Sequence, residues 1–136
     1  DHGATATWEY WSGERSRVHN CYNGIGIWFY QALGGIRIDE AEPGYRHFYV
    51  DPQIPNGVTW TKATKESPYG TIAVNWELKG NQLNLQLTVP AGTTATVCIP
   101  DDAVSCKMGT KKVNIKKKTV LVKEGNHHFV FGLNKL

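Results

Sequence analysis

The residues of this chain best suited to chemistry lie close to its start, where Glu9 stands between Trp8 and Trp11 and His19 follows ten positions later. A carboxylate and an imidazole can each accept or donate a proton, and indole faces pack on the C–H faces of sugars. Taken singly, these residues read plainly. Glu9 is one of twelve acids and would ordinarily be solvated, and His19 would ordinarily be a hydrogen-bonded surface histidine. Three cysteines, Cys21, Cys98 and Cys106, form an odd set with no CxxC spacing, which argues against a zinc or redox motif. Cys98 and Cys106 bracket a turn-rich segment and could face each other across a hairpin, but three unconnected packing residues is the preferred reading. His127-His128 has no second ligand pair at metal spacing, so no metal or cofactor is expected.

The remaining tryptophans read differently from Trp8 and Trp11. Trp28 falls on a helical stripe and Trp76 in a strict alternation, so both are expected in the core. Trp60 is assigned to core or interdomain packing. The run Lys111-Lys-Val-Asn-Ile-Lys-Lys-Lys118 has the composition of a nucleic-acid or heparin patch. Val113 and Ile115 alternate within it, however, and an exposed edge hairpin guarded by lysines explains it more simply.

Two kinds of periodicity position these groups. From Val18 to Leu33 the apolar residues Ile25, Trp28, Phe29, Ala32 and Leu33 recur at helical spacing, with the last helix placed at about 19–34. Gly34-Gly35 supplies a left-handed stop, and Ser16 or Asn20 is a candidate cap. After Ile38 the period becomes two, with Ile72, Val74, Trp76 and Leu78, then Leu83 to Val89, Ala95 to Ile99 and Phe129 to Leu133 alternating with polar residues. About eight strands are expected, near 45–51, 57–66, 70–79, 82–90, 94–100, 111–116, 119–123 and 127–133. The fold class is therefore mainly β, an antiparallel, jelly-roll-like β-sandwich preceded by a helical segment. A lone helix cannot bury its own apolar face, so it must pack on the sandwich, a partner chain or a missing domain.

The length of 136 residues suits one domain with a real core, and 40% hydrophobic residues with fourteen glycines describe a globular, turn-rich chain. A net charge of +3 gives no strong case for nucleic acid. No apolar run approaches the roughly 20 residues of a membrane helix. The chain starts at Asp1 without an initiator Met, which reads as an excised piece of a larger protein, so localisation stays unknown.

Several strings in the first half together resemble the bacterial α-L-rhamnosidases of glycoside hydrolase family 78. Gly3-Ala-Thr-Ala-Thr-Trp-Glu9-Tyr-Trp11 is similar to a segment near the end of that family's catalytic barrel. Arg15-Ser-Arg-Val-His19 through Ile25-Gly-Ile-Trp28-Phe29-Tyr30 is similar to its Ser-x-Asn-His segment and final barrel helix, with Val18 in place of the Asn. Gly34-Gly-Ile36-Arg37, Pro43-Gly-Tyr45-Arg-His-Phe48, Ser67-Pro-Tyr-Gly70-Thr71 and the Thr88–Val97 string follow in order. The resemblance implies that residues 1–38 are the end of an (α/α)6 barrel and residues 39–136 the C-terminal β-sandwich. It implies hydrolysis of terminal α-L-rhamnose with inversion, in which one carboxylic acid protonates the leaving oxygen and a second activates water. Glu9 then matches the candidate general base, and His19 a histidine contacting the sugar, with Trp8 and Trp11 beside them. The general acid would lie upstream, leaving this portion inactive alone. Its partners would be a rhamnose-containing glycoside and the rest of the barrel in cis, with no nucleic acid or membrane. A non-catalytic carbohydrate-binding module is the competing reading and would need a flat, exposed aromatic platform. An immunoglobulin-type sandwich lacks its Cys…Trp…Cys pattern.

Overall fold

The computed structural model describes Gly3 and residues 6–19 and 24–134. Cys21 and Asn20 lie outside the described residues.

Alternation builds the sheet. Eight strands run along the chain: β1 (Ile36–Ile38), β2 (His47–Val50), β3 (Trp60–Ser67), β4 (Gly70–Lys79), β5 (Gln82–Cys98), β6 (Ala103–Met108), β7 (Lys111–Lys112) and β8 (Thr119–Leu133). They pair in the order β1-β2-β5-β8-β6-β7, with β4 also beside β5 and β3 beside β4. In β4 and the first half of β5, every second side chain turns inward: Ile72, Val74 and Trp76, then Leu83, Leu85, Leu87 and Val89 are buried. The polar residues between them face out, as a half-buried sheet requires.

Two expected turns prove to be bends inside long strands. Pro90-Ala-Gly-Thr93 sits within β5, and Glu124-Gly-Asn126 within β8. Pairing runs from Val89 opposite Gly125 directly to Thr94 opposite Lys123, so four residues of β5 stand against Glu124 alone. Such a bulge bends both strands sharply. The corner is held by the Gly92 N–H donating to Glu124 Oε2 at 2.6 Å and the Thr93 hydroxyl donating to Pro90 O at 2.7 Å. Thr93 is buried, and this bond satisfies its hydroxyl.

Beyond the corner the sheet continues as a second arm. One arm holds β3, β4, β6, β7 and the adjoining halves of β5 and β8; the other holds β1, β2 and the remaining halves. Their inward faces share one core, in which Phe48, Val50, Ala95 and Val97 of the second arm join Val74, Leu85, Phe129 and Phe131 of the first. Phe129 and Phe131 stack with centroids 5.9 Å apart. The architecture is the expected β-sandwich, with one departure from antiparallel order: β2 runs parallel to β5. A parallel pair needs a long crossover, and here the chain passes through β3, β4 and the first half of β5 between the two paired segments.

Other differences have local causes. β6 falls outside the expected strands; Val104 points outward and is exposed, so no apolar alternation marks it. The expected strand at 111–116 stops at Lys112. The Asn114 side chain accepts from Lys116 N–H at 3.0 Å and caps a 3-10 turn, Ile115–Lys117, which closes on Lys118 at φ 60°. β7 is an edge strand, paired with β6 alone, as the lysine pattern anticipates. Cys98 and Cys106 are both free thiols: Cys98 pairs opposite Thr119 in one arm, whereas Cys106 faces the core opposite Phe131 in the other.

The helix is much shorter than its periodicity suggests. Residues 18 and 19 are not helical, and α1 (Ile25–Trp28) is one turn that widens into a π-turn, Phe29–Leu33, closed by Gly34 N–H donating to Phe29 O at 2.9 Å. Ser16 does not cap a helix; its hydroxyl turns back onto Val18. Of the apolar stripe only Leu33 is buried, and Trp28, expected in the core, is 47% exposed. Only the last helical turn reaches the sheet.

That contact is firm. Trp76, 2% exposed, donates its indole N–H to Leu33 O at 2.7 Å. Gly34 lies so close to Ala63 and the carbonyl of Tyr30 that a side chain there would clash. Gly35, at φ +68°, rests its α-carbon against the backbone of Asp51 and Pro52, where a Cβ has no room. Hydrogen bonds from Asp51 N–H to Gly35 O and Gln53 N–H to Ala32 O, both 2.9 Å, complete the seam.

Candidate functional site

Residues 7–19 form a loop that doubles back on itself. A turn closes with Gly13 N–H donating to Tyr10 O at 3.0 Å, with Gly13 at φ +72°. The Glu9 N–H then donates to Ser16 O at 2.9 Å, and the His19 N–H to Thr7 O at 2.7 Å. These bonds align the two limbs, so residues ten apart in sequence become neighbours.

The consequence is a carboxylate held beside an imidazole and a guanidinium. Glu9 Oε2 lies 3.8 Å from His19 Nδ1, and Glu9 Oε1 lies 3.4 Å from Arg15 Nη1. Its side chain is 24% exposed, open enough to meet water or a hydroxyl. An ionised carboxylate so oriented can take a proton from an approaching water, and a neighbouring imidazole can hydrogen-bond a substrate oxygen.

The expected partners divide. Glu9 and His19 come together. Trp8 is half-buried but one ring face is covered, because the Arg17 guanidinium carbon lies 5.2 Å from its centroid. Trp11 is 78% exposed and turns into solvent instead of flanking Glu9. Sequence reasoning passed over Arg15 and Arg17. Their signal was the alternation Arg-Ser-Arg, with Arg15 six residues after Glu9 and Arg17 nine after Trp8, which the loop reversal converts into one ion pair and two cation–π stacks; the second places Arg15 5.3 Å from the Tyr10 ring.

Elsewhere, a cleft of about 530 Å³ separates Phe29 and Tyr30 from β3, and a smaller hollow of about 320 Å³ lies over the outer face of β3, β4 and β5. Trp60 borders both and is 63% exposed, so it is not a core residue. On the second arm Cys98 sits by the Arg37–Asp51 ion pair of 2.8 Å. Burial pushes its thiol pKa up, Asp51 adds to the rise and Arg37 opposes it.

Comparison with known proteins gives two adjoining family matches. Residues 35–114 match the family profile described as bacterial alpha-L-rhamnosidase C-terminal domain, and residues 1–33 match bacterial alpha-L-rhamnosidase 6 hairpin glycosidase domain. An alpha-L-rhamnosidase of Formosa agariphila is 33% identical over 133 residues, covering 89% of this chain and 14% of the relative. One from an Alteromonas species is 28% identical, covering 95% of this chain and 15% of the relative. The chain thus spans about a seventh of the length of the curated relatives it matches. Among solved structures, alpha-L-rhamnosidase from Dictyoglumus thermophilum shares the fold, with a TM-score of 0.78 at 22% identity over 96% of this chain and 16% of that one. The Streptomyces avermitilis alpha-L-rhamnosidase complexed with L-rhamnose aligns at TM-score 0.70 and 28% identity, covering 85% of this chain and 11% of that one.

Proposed function

This chain belongs to the bacterial α-L-rhamnosidase family, as its C-terminal part, and we propose that it serves in an inverting enzyme that removes terminal α-L-rhamnose from glycosides. The observation that carries this reading is the loop at 7–19, which lies within the stretch similar to the hairpin glycosidase domain and sets Glu9 against His19 and Arg15. In the mechanism, Glu9 is the general base. It takes a proton from a water that attacks the anomeric carbon, while a carboxylic acid from the upstream part of the enzyme protonates the departing oxygen. His19 hydrogen-bonds the sugar, and the exposed Trp11 offers a face for its C–H groups.

The sandwich has a bracing role in this proposal. Ile25, Ile27, Trp28, Phe29 and Tyr30 leave an exposed apolar face that suits packing on the rest of the barrel. The Trp76–Leu33 bond and the Gly34-Gly35 seam transmit that support to the sheet. The division proposed is a barrel-derived segment at 1–38 and a sandwich at 39–136, with Ile36–Ile38 reaching across as the first strand.

The test is Glu9→Gln in the full-length protein, assayed on an aryl α-L-rhamnoside. Turnover should fall by at least about a hundredfold, the lower end of general-base contributions. Proton NMR of the unsubstituted enzyme should show β-rhamnose as the first product. Near-normal turnover removes Glu9 from the mechanism, and an α-anomer formed first removes inversion.

A further inference from the structure

The outer face of β3, β4 and β5 carries polar groups that the fold itself does not use. On β3 the outward residues include Trp60 and Lys62, on β4 Asn75 and Glu77, on β5 Asn84 and Gln86. Register places them in two transverse rows: Trp60 opposite Glu77, with Glu77 opposite Asn84, and Lys62 opposite Asn75, with Asn75 opposite Gln86. Neighbouring strands lie about 4.8 Å apart and the two rows about 7 Å apart, so the six side chains make a grid of pyranose dimensions. They line the hollow of about 320 Å³.

The chemistry of this grid is specific. The Trp60 indole is 63% exposed on the rim of a strand layer, although burying it elsewhere would be favourable. The side-chain amides of Asn75, Asn84 and Gln86 make no hydrogen bond to a described residue. Each amide presents both a donor and an acceptor, the pair that two adjacent sugar hydroxyls complement. Glu77 commits one oxygen to Lys79 at 2.9 Å and leaves the other to accept. A protein partner would look for a contiguous apolar centre, whereas this face offers a single indole among amides and charges.

The geometry points to a carbohydrate-binding platform on the outer face of the sandwich. Trp60 stacks on the C–H face of one pyranose of a neutral glycan, and Asn75, Asn84, Gln86 and Glu77 bind its hydroxyls and those of the next residue. The site is separate from Glu9 and does not depend on the catalytic reading. It would hold a polysaccharide chain near the enzyme without cleaving it.

Isothermal titration calorimetry of this chain with cellohexaose, xylohexaose and mannohexaose tests the platform. At least one hexasaccharide should give a saturable isotherm. Trp60→Ala and the double variant Asn75→Ala/Gln86→Ala should each weaken it by about tenfold or more, the equivalent of about 1.4 kcal/mol. Because all three side chains face outward, thermal melting should confirm that both variants stay folded. Absence of a saturable isotherm with all three probes overturns the proposal, as does binding that survives either variant unchanged.

Discussion

At the scale of single residues, what matters is which side chains the backbone brings within reach of one another. Glu9 and His19 stood out because a recognisable string surrounds them; Arg15 did not, because its partnership with Glu9 exists only after Gly13 reverses the chain. Trp11 looked equivalent to Trp8, yet the turn at Tyr10–Gly13 sends it outward. Cys98 gives a residue-scale prediction from its surroundings. Burial, with Asp51 beside it, favours the neutral thiol, and the same desolvation acts on Cys106. Thiolate is the reactive form, so alkylation of Cys98 and Cys106 by iodoacetamide, followed site by site in the folded chain, should be slow at neutral pH. It should rise only at pH values above those at which the urea-unfolded chain reacts. Equal pH profiles in the two states would contradict that assignment. The sign for stability follows: a folded thiol with a raised pKa holds its proton longer than the unfolded one, so alkali lowers stability.

At the scale of elements, the strands were legible wherever inward positions were apolar without interruption, as in β4 and the first half of β5. The reading failed where local chemistry looked like an ending. Pro90-Ala-Gly92 and Glu124-Gly-Asn126 carry turn residues, yet the bulge uses them to bend strands that continue on both sides. The helix was overextended because periodicity reports which residues share a face and not how many turns persist; Gly24 and Gly26 weaken its start. Its anchoring to the sheet could not be read at all, since the Trp76–Leu33 bond joins residues 43 positions apart. That bond supports a second prediction. Trp76→Phe keeps a buried ring but strands the Leu33 carbonyl, and should lower the unfolding free energy by about 1–3 kcal/mol in urea titration. Gly35→Ala should cost at least about 1 kcal/mol in the same titration, because the new Cβ meets the Asp51-Pro52 backbone at positive φ. Wild-type stability in either variant would show that the seam is not what secures the helix.

At the scale of the whole molecule, one continuous sheet folded at a shared corner supplies a core large enough to stand behind an otherwise unsupported helical turn. The sandwich is stabilised by its own contacts, as the single buried cluster from Ile36 to Leu133 indicates. Among the described residues, the helical turn ahead of the sandwich meets that cluster at Leu33 and along the seam at Gly34-Gly35. An assembly so divided suits a chain in which the sandwich supports chemistry completed elsewhere. The most direct measurement is hydrolysis of p-nitrophenyl α-L-rhamnopyranoside by the full-length protein and by this chain, side by side at equal molarity. Turnover by the full-length protein with none from the chain is the predicted result, since the proposed mechanism draws its general acid from upstream; hydrolysis by the chain alone, or by neither, would contradict it.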